Sequence, residues 1–293
     1  YHLPPTAGAR LATGMAYGLA FRRHRHVELR LHELDHRWAD RSDPTSRATR
    51  FMLTGAEAIT VHSPEQRRQL VDGFGVAAPR VRLVDHGADF ARRTTADRAR
   101  ARATLGLPPD EHVFLCIGFV QPHKGFDRAA RAFAGLGAAG ARLDVVGSAR
   151  LADQATRDHV AEIRAIAARE PGVHLHLGYV SDEVFDRWIV AADTVVLPYR
   201  HIWSSGVAER AALYDRPVIS TRVGGLADQL EGVPGAVLVD DNAGLARAMA
   251  AAVGGTASEG PAPTPWVVRP DRASVQAEVR ARAAAARGGL PAG

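Results

Sequence analysis

A glycine, a lysine and a second glycine stand between an apolar run and an amphipathic one in Gly118-Phe119-Val120-Gln121-Pro122-His123-Lys124-Gly125. The chemistry open to this spacing is anion binding. Backbone N–H groups at a helix start lack intrahelical partners, and the Lys124 ammonium adds full charge beside them. A phosphate suits that pair, against the plainer reading of a solvated surface lysine. Further along, Ser205 and Gly206 open another helix, and Glu209 offers in its first turn a carboxylate able to accept from two vicinal hydroxyls. Taken alone, Glu209 reads more readily as a surface residue stabilised by the helix dipole. His32, in Leu31-His32-Glu33-Leu34-Asp35-His36, ends an apolar strand at a sheet rim. His32 and His36 are four residues apart, as in a zinc site's H-E-x-x-H, but the run stands on a strand-to-loop exit rather than on a helix, so no metal is predicted.

The elements that must hold these residues repeat one cycle. His112 to Ile117 reads as a buried parallel strand, and Phe126, Ala129, Ala130, Phe133 and Leu136 recur at helical spacing. Strands at Leu143 to Gly147, Val173 to Leu177, Thr194 to Leu197 and Pro217 to Ser220 alternate with helices at Arg157 to Ala168, Asp182 to Ala191 and Gly206 to Leu213. Such alternation predicts a parallel sheet covered by helices on both faces. Ligands on that architecture bind beyond the carboxyl ends of the strands, where Gly118, Gly147, Gly178 and Pro198 fall. Upstream, Val61 ends a strand, Ser63 caps, Pro64 takes the first helical position and Gln66 completes a capping box. A short strand follows at Arg80 to Val84. The arginine-rich stretch from Ala88 to Arg102 shows no core-forming periodicity, and the domain boundary is placed near residue 92.

In this order the motifs resemble the family 4 retaining glycosyltransferases of the GT-B fold, the glycosyl transferases group 1. Gly118 with Lys124-Gly125 is similar to the family's phosphate loop, which opens on glycine-arginine and closes on lysine-glycine, Leu143-Asp144-Val145-Val146-Gly147 to its second strand, and Gly178-Tyr179-Val180 to its base-binding turn. Glu209, Arg216-Pro217-Val218-Ile219-Ser220-Thr221 and Val223-Gly224-Gly225 resemble the ribose-holding part. Ile59 to Gln66 and Val81 to Asp89 resemble the end of the acceptor domain and the link between domains. The resemblance implies two Rossmann-like doubly wound domains facing a cleft, and transfer of a sugar from a UDP- or GDP-sugar to a hydroxyl of a carbohydrate or lipid-linked acceptor. It implies catalytic roles for His32, Lys124 and Glu209, and donor binding by Gly118, Lys124, Gly125, Tyr179, Val180, Ser205, Gly206 and Glu209. Lysine and helix dipoles take the place of a divalent ion, so no metal or cofactor is expected. Two positions depart from the pattern: Phe119 stands where the family has arginine, and His201 where it has the first glutamate of E-x7-E. Arg200 is expected to supply part of the missing charge at the pyrophosphate.

The implied organisation is a partial acceptor-side domain at 1–92, a nucleotide-sugar domain at 93–255, and a linker with a final helix at 256–293. About 90 residues is short for a doubly wound domain, so the first one reads as incomplete. The 293 residues are 46% hydrophobic and 24% charged, which excludes a disordered chain. No apolar run is long enough to cross a bilayer and none reads as a secretory signal, so a cytoplasmic location is expected. One cysteine, Cys116, excludes an intrachain disulfide and is expected in the core. The net charge of +5 invites a nucleic-acid partner, but the arginines are dispersed and only 6% of residues are aromatic, which argues against one. The cluster Arg22-Arg23-His24-Arg25-His26 after Leu11 to Phe21 raises peripheral contact with an anionic membrane, beside the plainer reading of a solvated helix end. A nucleotide-binding GT-B module without turnover and a nucleotide-sugar epimerase are the alternatives.

Overall fold

The computed structural model describes residues 7–24, 26–31, 42–84, 90–137, 139–149 and 153–254. The expected final helix at Ser274 to Ala286 and the expected catalytic His32 lie outside them. The chain divides into two compact units, Tyr1–Asp85 with Ile202–Ser204 and Val223–Gln229, and His86–His201 with Ser205–Arg222 and Leu230–Gly293.

The first unit contains α1 (Ala7–Arg23), β1 (Glu28–Arg30), α2 (Pro44–Gly55), β2 (Ala58–Val61), α3 (Pro64–Arg68) and β3 (Val81–Leu83). The strands pair in parallel in the order β1-β2-β3. Ile59 and Val61 of β2 are fully buried against Leu53, Leu70 and Phe74. The capping box forms in a shifted version: Ser63 Oγ accepts from the Gln66 amide at 3.1 Å, but Gln66 Oε1 accepts from the His62 amide at 2.8 Å, one residue before the cap. The glycines that interrupt the apolar segment Leu11 to Phe21 let α1 lie close on α2, since a Cβ at Gly18 would stand 2.3 Å from the Phe51 ring. Arg22 stacks 3.8 Å from the centre of that ring and donates to the Phe51 carbonyl at 2.7 Å. Part of the basic cluster therefore closes a helix end. No helix among the described residues is long and apolar enough to cross a membrane.

The second unit follows the predicted cycle: α4 (Arg98–Leu105), β4 (His112–Ile117), α5 (Phe126–Ala134), β5 (Ala141–Gly147), α6 (Gln154–Ala167), β6 (Val173–Leu177), α7 (Asp182–Ala191), β7 (Thr194–Leu197), α8 (Gly206–Leu213), β8 (Val218–Thr221), β9 (Ala236–Val239) and α10 (Asn242–Val253). A further helix, α9 (Gly224–Leu230), falls almost wholly in the first unit's share of the chain. The six strands are all parallel, in the order β6-β5-β4-β7-β8-β9. β4 is the middle of the layer, and Val113 to Ile117, Cys116 included, are buried. The order runs one way from β4 to β6 and the other way from β7 to β9, so β4 and β7 flank the topological switch point.

The arginine-rich stretch departs from expectation. It contains α4, capped by Asp97, whose side chain accepts from the Arg100 amide at 2.8 Å, and ended by Gly106 at φ +68°. Arg102 is 3% exposed and donates to the carbonyls of Ala191, Pro108, Pro109 and Glu111 and to the Asp193 carboxylate. A guanidinium with an acceptor on each of its three nitrogens is buried at tolerable cost, which a hydrophobic pattern does not reveal.

Candidate nucleotide-sugar site

The chain leaves β4 through Gly118, at φ +129° and with its amide donating to the Val146 carbonyl at 3.0 Å. Next to it β5 ends at Gly147, at φ +145°, where a Cβ would lie 1.7 Å from the Gly118 carbonyl oxygen. Only glycine fits there. The Gly178 amide donates to the Gly147 carbonyl at 2.9 Å, so the exits of β4, β5 and β6 form one rim built from backbone.

After Gly118 the chain makes a 3-10 turn at Pro122–Lys124 and enters α5 through Gly125 at φ +62°. A Cβ on Gly125 would come within 2.1 Å of the Pro198 carbonyl oxygen, which locks this turn against the exit of β7. The Lys124 ammonium stands 4.1 Å from the centre of the Tyr199 ring, a cation–π contact with a fully buried aromatic. Thr221 Oγ1 donates to the Tyr199 carbonyl at 2.6 Å and the Tyr199 hydroxyl lies 3.4 Å from Ser205 Oγ. Burial pushes the Tyr199 phenol up, so it stays a neutral platform. Ser205 caps α8 by accepting from the Ala208 amide at 3.3 Å. The start of α8 adjoins Gly118, where an added Cβ would lie 3.9 Å from Val207 Cγ2.

The switch point therefore gathers Gly118, Lys124, Gly125, Ser205 and Gly206, five of the residues named from sequence. Glu209 lies half-buried in the first turn of α8, its amide donating to the Ser205 carbonyl at 3.3 Å. Tyr179 and Val180 follow β6, two strands from β4 and about 10 Å away across the sheet. The Tyr179 side chain is 90% exposed.

The departures have consequences in the geometry. Phe119 is 44% exposed and brings no charge. Arg200 has a different task from the one expected, because its guanidinium grips the Asp127 carboxylate at 2.8 and 2.7 Å and donates to the Pro122 carbonyl at 2.6 Å. Arg128 is likewise engaged, with Pro198, Tyr199 and Asn242. His201 is exposed, and its ring lies 5.4 Å from that of His123. Burial, with Lys124, His201 and His159 adding to it, pushes the His123 imidazole down to about 4.

Sequence reasoning missed Asp127, Tyr199 and His159. Asp127 had left a signal, since i, i+3 spacing to Ala130 puts it on the apolar face of α5. Burial works to raise its pKa, but Arg200, His159 and Arg131 hold it below the usual carboxylate value. Asp127, His159 and Glu162 have ligand-type atoms within 4.8 Å of one another. Arg131 already bridges the two carboxylates, so a cation would have to displace a guanidinium.

Residues 111–254 match the family model described as glycosyl transferases group 1. Among curated relatives, the D-inositol 3-phosphate glycosyltransferase of Nocardia farcinica is 31% identical over 198 residues, and that of Acidothermus cellulolyticus 34% over 200 residues. Each alignment takes in 64% of this chain and 43% of the relative, so the chain spans less than half the length of either. Among solved structures, Anabaena HepE in complex with UDP-glucose aligns with a TM-score of 0.70 at 18% identity, over 96% of this chain and 77% of HepE. Sucrose-phosphate synthase from Thermosynechococcus elongatus aligns at 0.71 and 21% identity, over 94% of this chain and 72% of that one. At such identities the likeness is one of fold, the GT-B fold of glycosyltransferases. Over the stretch that holds the β4 loop, the β7 exit and the start of α8, the chain carries a domain of the glycosyl transferases group 1 family.

Proposed function

We propose that this domain, the donor half at 93–255, binds a nucleoside diphosphate sugar at the β4/β7 switch point. The whole protein is then a retaining family 4 glycosyltransferase that moves the sugar to a hydroxyl acceptor. The observation that carries this reading is the contact of two strand exits: the Lys124 turn lies on the Pro198–Arg200 segment, with the N-terminus of α8 beside Gly118. An ammonium and a helix N-terminus converge there, which suits the negative charge that grows on a departing pyrophosphate. Glu209, in the first turn of α8, takes the ribose hydroxyls. His32 serves the reacting sugar from the acceptor side, where a carbohydrate or lipid-linked acceptor enters. UDP and GDP are the donor bases to compare, and the curated relatives' inositol phosphate is one acceptor to try. Turnover needs no metal, and the protein works in the cytoplasm with peripheral membrane contact.

Saturation-transfer NMR with UDP and GDP on wild type and Glu209→Ala tests the donor site and chooses the base. One nucleotide binds to wild type, and Glu209→Ala weakens it. Binding of neither, or binding indifferent to Glu209, refutes the assignment. A module that holds nucleotide without turnover is the second reading, favoured by Phe119 and His201, which remove a cation and a carboxylate from the family pattern. Donor hydrolysis or transfer by the full-length protein separates the two.

A further inference from the structure

Asp127 has no place in the donor chemistry above, yet it is fully buried in the first turn of the helix that follows Lys124. It receives both terminal nitrogens of Arg200 at 2.8 and 2.7 Å and Arg131 Nη1 at 2.7 Å, with His159 Nδ1 at 3.4 Å. The same Arg200 donates through Nη1 to the Pro122 carbonyl at 2.6 Å and through its backbone amide to the His123 carbonyl at 2.8 Å. The two carbonyls that immediately precede Lys124 are thus tied through one residue to one carboxylate. A forked pair fixes the plane of the guanidinium as well as its distance. Arg200 also follows Tyr199 directly, and the Tyr199 ring carries the Lys124 ammonium. The same side chain therefore holds the turn and the segment that supports the lysine's head.

We propose that Asp127 and Arg200 are positioning residues for Lys124, setting where its ammonium stands against the donor's diphosphate. This rests on the reading of Lys124 as a phosphate ligand. The pair touches no donor atom in this account; it acts only through the turn.

The test measures binding of the preferred nucleoside diphosphate and of the corresponding nucleoside to wild type, Lys124→Ala, Asp127→Asn, Arg200→Lys and the double variant Lys124→Ala/Asp127→Asn. Asp127→Asn keeps the shape and removes the charge, whereas Arg200→Lys keeps the charge and removes the fork. Each single change should weaken the diphosphate about tenfold and leave the nucleoside unchanged, while the double variant binds no more weakly than Lys124→Ala alone, because coupled groups do not add. General loss of structure would weaken both ligands. A folded Asp127→Asn with wild-type diphosphate affinity, equal losses for nucleoside and diphosphate, or losses that add to that of Lys124→Ala would each overturn the proposal while the donor site stands. If Asp127→Asn does not fold, Arg200→Lys decides by the same criteria. Wild type that binds no diphosphate, or binding untouched by Lys124→Ala, removes the donor reading itself and this proposal with it.

Discussion

The Lys124 ammonium rests on the Tyr199 ring, a neutral aromatic face that supports it without cancelling its charge. Lys124→Ala should lose a charge-assisted hydrogen bond of about 1.5 to 3 kcal/mol, which calorimetry reads as roughly tenfold or greater weakening of nucleoside diphosphate. Unchanged affinity in the folded variant removes the lysine from the site. His123, in the same turn, supplies a pH dependence. Its folded value of about 4 lies below the usual imidazole value near 6.5. Between those values the unfolded chain binds more protons than the folded one, so stability falls as pH drops from about 6.5 to about 4. Denaturant titrations across that window should show a shallower fall for His123→Asn; an unaltered slope would mean the imidazole is not shielded.

The α8 start and the Gly125 corner make separate predictions for whole elements. Ser205→Ala removes the cap that accepts from the Ala208 amide and should cost about 1 kcal/mol in urea unfolding. Gly125→Ala puts a Cβ against the Pro198 carbonyl at positive φ, so the Lys124 turn must shift and nucleotide binding should fall further than stability. Elements like these were legible wherever burial left a periodic trace. β6, α7, β7 and α8 begin and end where their residue patterns and caps indicate: β7 is buried throughout and reads as a nearly unbroken apolar run, while the edge strand β6 alternates Val, His, Leu, His, Leu. α4 left no such trace, since its anchor is Arg102 and the acceptors that make its burial tolerable lie far along the chain. Arg200 was misjudged for the same reason. Closeness to the loop in sequence was visible, while the pairing with Asp127, 73 residues earlier in the first turn of α5, was not. The glycines at 118 and 125 were found by motif, and the structure gives their physical reason: both stand at positive φ, and at Gly125 a Cβ would also meet the Pro198 carbonyl.

At the scale of the molecule, Asp127, His159 and Glu162 are the ligand-type group found among the described residues, and Arg131 occupies its carboxylates. Transfer by the full-length protein should therefore survive a chelator; loss of activity in EDTA with rescue by magnesium or manganese would contradict it. The strand order has a kinetic consequence. β4 pairs with β5, its neighbour in sequence, on one side, but on the other with β7, where Leu115 meets Val195. Pairings that distant close late, because loop entropy is paid before contacts repay it. The layer of β4, β5 and β6 can thus assemble while the crevice does not yet exist, and the crevice arises only when β7 docks. A nucleotide would find nothing to hold during most of the refolding reaction. Stopped-flow experiments should show a refolding rate indifferent to added nucleoside diphosphate and an unfolding rate slowed by it, with all of the ligand's stabilisation, about 2.7 kcal/mol at a hundredfold excess over Kd, appearing on the unfolding arm.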